Sequence, residues 1–470
     1  MSLTNALSAG RSGLLAVSRW SETTAGNVAN AKTQGYVRRD VGLSTNVVGG
    51  GVIVTGITRD SDAALTRLHR DHLAEGATQS TISDRLQAYA TALGQPGDPT
   101  TLSARLGGLQ DAFVALASTP GSGPAQRSVL EAAEGAAAAL NGLSRQLDSA
   151  VRGVGEQIAG QVERVEGLLS ELAAMNARMA GTEQGTAASA ELRDRMDGRL
   201  DALATSLDFQ VRERVDGGLD IFTPDGTVML DGDDPAPLTF DPNSGLAFDG
   251  VDITPGKAVG RGITEGVLAG LTELRSEILP RFRMQLDETA RALVQTFADA
   301  DPTVGAGGAG LFTDAGAGYD PALHEGLAGR ITVNDAARPE AGGALWRVRD
   351  GMGAVSEGPP GDATVVDGIL DRLAQGQVYD PATGLQGGAP LGEFAAQLMA
   401  DQHAVRARAD TALEGLNTAT AAVAESRAAR QGVDIDAEMQ RLLEIEQTYA
   451  ANSKVLTTVV RMIDDLLAAI

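Results

Sequence analysis

The sequence predicts a mainly α-helical protein with a β-rich insertion, and three observations carry this prediction. Apolar residues recur at steps of three and four at both ends of the 470-residue chain. Aromatic residues make up only 3% of the chain, which suits long, thin helices better than a thick globular core. Between residues 206 and 260 the helical period gives way to alternating apolar residues and Asp-Gly turns. We therefore expect the N- and C-terminal helices to pair as a coiled coil, with a long helical bundle in a middle layer and an outer β domain.

The N-terminal helix is predicted from a heptad pattern. Its members alternate at steps of four and three, and they are Leu3, Leu7, Gly10, Leu14, Val17, Ser21, Thr24, Val28 and Ala31. We expect the helix to end near Asn30. The small and polar members would weaken a self-sufficient coiled coil, but they permit a neighbouring helix to approach closely.

The C-terminal helix is predicted from a longer heptad. Residues at every seventh position are apolar, and they are Ile435, Leu442, Tyr449, Leu456, Ile463 and Ile470. Ile445, Val459 and Leu466 fill the companion line, and Asn452 is polar in its middle. Asp434 or Asp436 is the expected N-cap.

The segments between the two ends follow from breakers and periodicity. Residues 41–60 predict a hairpin around Gly49 to Gly51, and residues 62–200 predict helices that break at 94–99 and 119–124. Helical character resumes at 264–299 and 391–430. The Gly-, Pro- and Asp-rich stretch between these two blocks contains strand candidates at 329–334 and 344–349.

Four domains follow from this order. The predicted divisions are a terminal helical domain of residues 1–40 plus 432–470, a helical rod domain of 41–205 plus 262–300 plus 365–431, a β-rich insertion of 206–261, and an irregular, partly β segment of 301–364. The helical rod domain includes the hairpin at about 41–60.

Charge and cysteine content exclude several function classes. Lys plus Arg number 38 against 62 Asp plus Glu, a net charge of −24, which argues against binding nucleic acid or an anionic membrane. Cysteine is absent, which excludes disulfides, thiolate catalysis and Cys-ligated zinc. We expect no membrane anchor and no cleaved signal peptide, because no run of about 18 apolar residues occurs and the apolar residues of the N-terminal stretch are interrupted.

Candidate reactive groups are few. His69 and His72 are spaced i, i+3 on a predicted helix, but no third metal ligand accompanies them. The glycine cluster at 305–310 follows a helix and lacks the Lys-Ser/Thr of a phosphate-binding loop. No Ser/His/Asp constellation can be selected. The sequence therefore predicts no catalytic site, no metal site and no cofactor.

Two segments carry a resemblance to a known family. NVANAKTQGYVRRDV, residues 27–41, resembles the N-terminal signature of bacterial flagellar rod, hook and hook-associated proteins, and residues 432–467 resemble their C-terminal helix. Matching positions are Asn27, Ala29, Asn30, Thr33, Gly35, Tyr36, Tyr449, Ala451, Asn452, Leu456 and Asp464. The stretch GVIVTGITRDSDAAL, residues 51–65, is similar to the hook-associated members.

This resemblance implies a structural subunit rather than an enzyme. It would be an adapter between hook and filament, exported by the flagellar type III apparatus and located outside the cell at the hook–filament junction. The implied partners are further copies of the chain, hook protein, the second junction protein (hook-associated protein 3) and a flagellar export chaperone. Two alternatives stay open, which are another axial subunit such as hook protein and an enzyme carried in residues 206–390.

The predicted assembly interface combines the two heptads with the N-terminal signature. Its members are Leu3, Leu7, Leu14, Val17, Val28, Asn30, Thr33, Gly35, Tyr36, Ile435, Leu442, Tyr449, Asn452, Leu456, Val459, Ile463 and Leu466.

Overall fold

The structure is a computed structural model that describes residues 3–46, 50–256 and 262–468. The predictions made for Gly49 and Ile470 lie outside these residues. The helices are α1 (Leu3–Asn30), α2 (Ala63–Leu93), α3 (Leu102–Ser118), α4 (Gly123–Ala180), α5 (Ala187–Ser206), α6 (Val267–Glu273), α7 (Leu279–Asp299), α8 (Leu327–Arg330), α9 (Arg347–Asp350), α10 (Thr364–Ala374), α11 (Leu391–Gln431) and α12 (Ile435–Ala468). The strands are β1 (Arg39–Thr45), β2 (Val52–Arg59), β3 (Gln210–Glu213), β4 (Leu219–Phe222), β5 (Val228–Asp231), β6 (Asp234–Pro235), β7 (Leu238–Asp241), β8 (Gly245–Phe248), β9 (Val251–Asp252), β10 (Phe312–Asp314) and β11 (Ile331–Val333).

The predicted fold class, mainly α with a β-rich insertion, is confirmed. Helix α1 ends at Asn30, and the loops after α2 and α3 fall at the predicted breakers. Asp434 is the N-cap of α12, because its Oδ1 accepts hydrogen bonds from the backbone N–H groups of Asp436 (2.9 Å) and Ala437 (3.2 Å).

The strand predicted at 344–349 was wrong. Residues 347–350 form the single helical turn α9 instead. The side chain of Arg349 is buried there, and its guanidinium donates two hydrogen bonds of 2.6 Å to the carboxylate of Asp350 and one of 3.0 Å to the carbonyl of Gly358. A buried charge needs such partners, and this requirement overrides the short alternating pattern. The other candidate, 329–334, contains β11, which pairs with β10.

The chain divides into two compact units. Unit 1 comprises Met1–Thr78, Ala159–Ala269 and Glu414–Ile470, and unit 2 comprises Gln79–Ile158 and Gly270–Leu413. The four-domain division drawn from the sequence stays a prediction.

In unit 1 the antiparallel β1–β2 hairpin packs on the first helix. The N–H of Val52 donates to Oγ of Ser12 at 3.2 Å, and Gly51 lies so close that a Cβ there would stand 2.9 Å from Cα of Ala9. Gly51 also has φ +96°, a conformation that glycine adopts without strain. The hairpin is thus held along α1 by backbone proximity.

The insertion of unit 1 contains two antiparallel sheets, ordered β3-β4-β5-β6 and β7-β8-β9. One buried amide of α4 fastens the first sheet. Nδ2 of Asn176 donates to the carbonyls of Leu219 (2.8 Å) and Gly232 (2.5 Å), and its Oδ1 accepts from the N–H of Leu219 (2.9 Å). All three partners are backbone groups that burial would otherwise leave unpaired.

Unit 2 is organised around α7. Its Phe297 contacts Phe113 and Phe312, with ring centroids 5.5 and 5.0 Å apart. One turn of π-helix, Leu274–Ile278, precedes α7. Pro280 accounts for this turn, because it has no N–H to complete the ordinary ladder and the helix shifts its register.

Candidate assembly interface

The two terminal helices pair within unit 1, and glycine permits their close approach. A Cβ on Gly10 would stand 3.0 Å from Cγ of Leu456, and one on Gly13 would stand 3.0 Å from Nδ2 of Asn452. Larger residues at either glycine would force α1 and α12 apart. The close approach expected at Gly10 is therefore present, and its partner on the other helix is Leu456.

The residues of the predicted interface differ in burial. The buried members are Val17 and Val459, and Ile445 of the companion line is buried as well. Partly buried members are Leu3, Leu7, Leu14, Val28, Asn30, Tyr36, Leu442, Asn452, Leu456 and Ile463. Exposed members are Thr33, Gly35, Ile435, Tyr449 and Leu466. Helix pairing thus covers only part of the predicted set, and the assembly role of every member stays a prediction.

The signature residues after α1 build a turn. Oγ1 of Thr33 donates to Oδ1 of Asn30 at 3.2 Å, and Nδ2 of Asn30 donates to the carbonyl of Gly26 at 2.9 Å. Gly35 has φ +79°, in the left-handed region that favours glycine. Asn30 and Thr33 bond each other, and Gly35 adopts the conformation that the turn needs. The turn itself therefore explains the polar residues and the glycine of the signature.

A buried polar cluster ties the turn to α12. The Nδ2 of Asn27 donates to the carbonyl of Arg39 (2.8 Å) and to Oε2 of Glu438 (3.2 Å), while its Oδ1 accepts from the hydroxyl of Tyr36 (2.9 Å). Asn27 and Glu438 are almost fully buried. Burial raises the pKa of Tyr36, so its hydroxyl keeps the proton that it donates.

Arg38 completes this cluster. Its Nε donates to Oε1 of Glu438 at 2.9 Å, and its other nitrogens contact Asp60 at 3.0 Å and Asp40 at 3.4 Å. Burial acts to lower the pKa of Arg38, but the hydrogen bond and charge of Glu438 outweigh it and raise that pKa. Asp40 is also 3.3 Å from Arg441 of α12. A buried Glu438 satisfied in this way is a positioning group for the helix pair.

Sequence reasoning missed Glu438 because a single Glu near the start of a helix is ordinary. The available signal was its spacing, since Glu438 lies seven residues before Ile445 and therefore on the inward face of α12. A charged residue on such a face requires a partner from elsewhere in the chain.

Helix α12 leaves much apolar surface uncovered. Among the described residues, twenty large apolar side chains are exposed, and nine of them belong to this helix. These nine are Ile435, Met439, Leu443, Tyr449, Val455, Val460, Met462, Leu466 and Leu467. A concentration of this kind is typical of a surface that binds another protein.

An apolar groove of about 610 Å³ runs between the two helices. Val17, Ser18, Ser21 and Glu22 of α1 line one side, and six residues of α12 between Met439 and Tyr449 line the other. Met439 and Leu443 line the groove and remain exposed.

Reactive chemistry is not indicated in the described part of the chain. No group of three His, Cys, Asp or Glu residues there could hold a metal ion. The Nδ1 atoms of His69 and His72 are both buried without a hydrogen-bond partner. No helix within the described ranges has the length and apolar character needed to cross a bilayer.

The chain is similar to known flagellar proteins. A model of the flagellar hook-associated protein FlgK helical domain matches residues 90–307, and a model of the flagellar basal body rod FlgEFG protein C-terminal region matches residues 428–469. Flagellar hook-associated protein 1 of Bacillus subtilis (strain 168) is 22% identical over 95% of this chain and 94% of its own length.

A solved structure is also similar over part of the chain. The flagellar hook junction protein FlgK from Burkholderia pseudomallei aligns with a TM-score of 0.43 at 20% identity, covering 53% of this chain and 46% of that chain. The end-to-end relative and the helical-domain match point to a hook-associated protein. The chain is therefore similar to the flagellar hook-associated protein FlgK, and this similarity supports a structural, hook-associated role in the flagellum.

Proposed function

We propose that this protein is an adapter of the hook–filament junction that polymerises through the α1–α12 pair. The observation that carries the proposal is the exposed apolar surface of α12 beside a groove that no segment of the chain fills within unit 1 as described. Burying apolar surface is the main driving force of association, at roughly 25 cal/mol per Å². The α1–α12 pair therefore gains the most free energy when another copy covers this apolar surface.

The occupant of the groove, in this proposal, is α12 of a second copy. Val455, Met462 and Leu466 are spaced by seven and four residues, so they form one ridge along the helix. At about 100° per residue this ridge lies on one flank of α12, and Met439, which lines the groove, lies on the opposite flank. A contact between opposite flanks of one helix is heterologous, and such contacts build open helical arrays.

Charge supports the same pairing. Glu22 and Glu446 line the groove, and the two cations Lys454 and Arg461 directly precede Val455 and Met462 of the ridge. Opposite charges at the rim favour the correct register over alternatives. Hook protein and the second junction protein would meet the outermost copies through equivalent surfaces.

Export and storage follow from the same surface. A free monomer would expose the nine apolar side chains of α12 before assembly, and such a surface promotes aggregation. We therefore include a flagellar export chaperone that covers α12, secretion by the type III apparatus without a cleaved signal, and a final location outside the cell at the junction.

Disulfide trapping tests the proposed contact, because the chain contains no cysteine. The doubly substituted protein Leu443→Cys, Met462→Cys is assembled and oxidised. Its two thiols are 19 residues apart on one helix, about 28 Å, whereas a disulfide needs Cα atoms within about 7 Å. Only contacts between copies can join them, and we expect covalent ladders on a denaturing gel.

The matched control is Leu443→Cys with Thr457→Cys, which places the second thiol on the other flank of the helix and should give no ladder. Assembly without ladders in the first variant would reject the groove–ridge contact and leave polymerisation itself standing. Failure of the unmodified protein to assemble with hook ends would reject the adapter function.

A further inference from the structure

A line of alternating charges runs through unit 1. Three carboxylates of α5, Asp194, Asp197 and Asp201, are spaced by three and four residues and share one face of the helix. Four arginines from β1, β2, α2 and α11 lie between and beyond them. In order the contacts are Arg39–Asp194 (2.8 Å), Asp194–Arg59 (2.8 Å), Arg59–Asp197 (2.6 Å), Asp197–Arg70 (3.0 Å), Arg70–Asp201 (2.7 Å) and Asp201–Arg427 (3.0 Å). We call these seven side chains the charge ladder.

The ladder differs from ordinary surface ion pairs in its burial. Its side chains are between 11% and 25% exposed, whereas the pair Glu191–Arg195 on the same helix is more than half exposed. Partly buried pairs are screened less by water and cost more to break from one side. Arginine suits such a line, since one guanidinium can bond two carboxylates at once.

One carboxylate of the charge ladder offsets a repulsion between two arginines of the hairpin. Arg39 and Arg59 stand directly opposite each other in the β1–β2 register, and like charges so placed destabilise a strand pair. Asp194 accepts from Arg39 through Oδ2 and from Arg59 through Oδ1, each at 2.8 Å. The base of the hairpin therefore depends on a carboxylate supplied by α5.

The same hairpin base also reaches the terminal helices. Arg38, next to Arg39 in the chain, bonds Glu438 of α12, and its N–H donates to the carbonyl of Gln431 at 2.9 Å. Asn27 of α1 bonds the backbone of Arg39. The hairpin thus stands between the charge ladder on one side and the α1–α12 pair on the other.

We propose that the charge ladder is an ionic clamp, which fixes the β1–β2 hairpin on α5 and thereby sets the orientation of the α1–α12 pair. Loss of a central rung, or high ionic strength, releases the hairpin while α5 stays folded. The inference concerns the single chain and does not depend on the proposed assembly.

The central carboxylate is the best place to break the clamp. Burial acts to raise the pKa of Asp197, but Arg59 and Arg70 outweigh it and hold that pKa below its usual range, so the carboxylate stays charged. At Asp194 burial is the stronger effect and raises the pKa despite Arg59 and Arg39. Asp197→Asn keeps the shape of the side chain and removes the charge that two arginines share.

Amide hydrogen exchange of the full-length monomer measures the release. In low salt we expect Asp197→Asn to accelerate exchange of the hairpin amides by about tenfold, with α5 changed less than about twofold. Raising the salt concentration from 50 mM to 1 M should also accelerate exchange of the hairpin amides in the unmodified protein, because ions screen the charge ladder. The control Glu191→Gln, in the exposed pair of α5, should leave the hairpin unchanged.

Two results would overturn the clamp. Hairpin exchange that is unchanged by Asp197→Asn and by salt would show that other contacts hold the hairpin. If amide exchange accelerated equally in α5 and in the hairpin, the charge ladder would stabilise the fold in general and would not hold the hairpin specifically. Arg427→Met, which removes only the outer rung, provides a milder variant and should accelerate hairpin exchange by about threefold or less.

Discussion

Helices α7 and α12 differ in how many of their side chains are buried. Of the 21 residues of α7, 13 are buried, and they include Asp287 and Glu288. Asp287 accepts hydrogen bonds of 2.8 Å from the N–H groups of Gly326 and Ala328, and Glu288 pairs with Arg291. Of the 34 residues of α12, all described, only Glu438, Ile445 and Val459 are buried, and nine large apolar side chains are exposed.

A single chain covers most of the surface of α7, whereas it leaves most of the surface of α12 exposed. Unit 2 supplies α7 with partners for its polar atoms as well as its apolar ones, at the level expected of a finished core. Unit 1 supplies α12 with one partner helix, which covers one face. A helix of the second kind is expected in a protein that finishes folding its ends during assembly.

Charging the inner face of α12 should have the largest effect. Leu456→Asp with Ile463→Asp places two carboxylates against α1, and we expect loss of assembly and of motility, while the secondary structure of unit 2 is retained. Motility plates and electron microscopy of hook ends measure the result. Gln447→Asp with Thr457→Asp adds the same charge at exposed positions and should assemble, whereas normal motility of the first variant would contradict the interface.

Removing an aromatic ring of α7 should cost the most stability. Phe297→Ala leaves a cavity between Phe113 and Phe312, and such changes cost about 3–5 kcal/mol. Urea unfolding monitored by the Trp346 fluorescence of unit 2 gives the value. The exposed apolar Val460 of α12 provides the comparison, because Val460→Ala should change the free energy of unfolding by less than about 0.5 kcal/mol. Equal costs would remove the distinction between the two helices.

Removing the buried carboxylate of α12 should have an intermediate effect. Glu438→Ala leaves Arg38 without its closest partner and the amide of Asn27 with one acceptor fewer, which costs about 2–3 kcal/mol. Trp20 of α1 reports the loss by fluorescence during unfolding in a Trp346→Phe background. Glu444→Ala, at an exposed site on the same helix, should change little. A silent Glu438→Ala would mean that the cluster does not position the pair.

The smallest predicted effect distinguishes two glycines of α1. Alanine gains about 0.5–1 kcal/mol over glycine within a helix, and Gly26 has no atom within 4 Å of an added Cβ, so Gly26→Ala should stabilise by that amount. At Gly10 the added Cβ meets Leu456 at 3.0 Å, and Gly10→Ala should fall short of Gly26→Ala by about 1 kcal/mol. Thermal unfolding followed at Trp20 compares them, and identical gains would refute close helix contact at Gly10.

Local patterns were sufficient for much of the fold. The heptads at Leu3 and Ile435 and the breakers near Gly97 and Gly121 fixed helices to within a few residues, because helix period and helix termination are properties of neighbouring residues. The predicted strand at 344–349 failed because Arg349 is governed by Asp350 and Gly358 within a buried turn.

The sites that sequence reasoning missed are nonlocal. Asp194, Asp197 and Asp201 form an acidic stripe that is visible in the sequence, but such a stripe usually faces water. Only the positions of Arg59 and Arg70, more than 120 residues away in the chain, make it a charge ladder. Burial of Glu438 likewise depends on Asn27, which is 411 residues distant.

The attachment of the insertion to α4 has an evolutionary consequence. The side chain of Asn176 forms its hydrogen bonds with main-chain atoms of Leu219 and Gly232, and main-chain carbonyl groups are common to every amino acid. Side chains of Leu219 and its neighbours on the strands can therefore change without loss of these three hydrogen bonds. Sequence change in the insertion is in this way compatible with an unchanged attachment to α4.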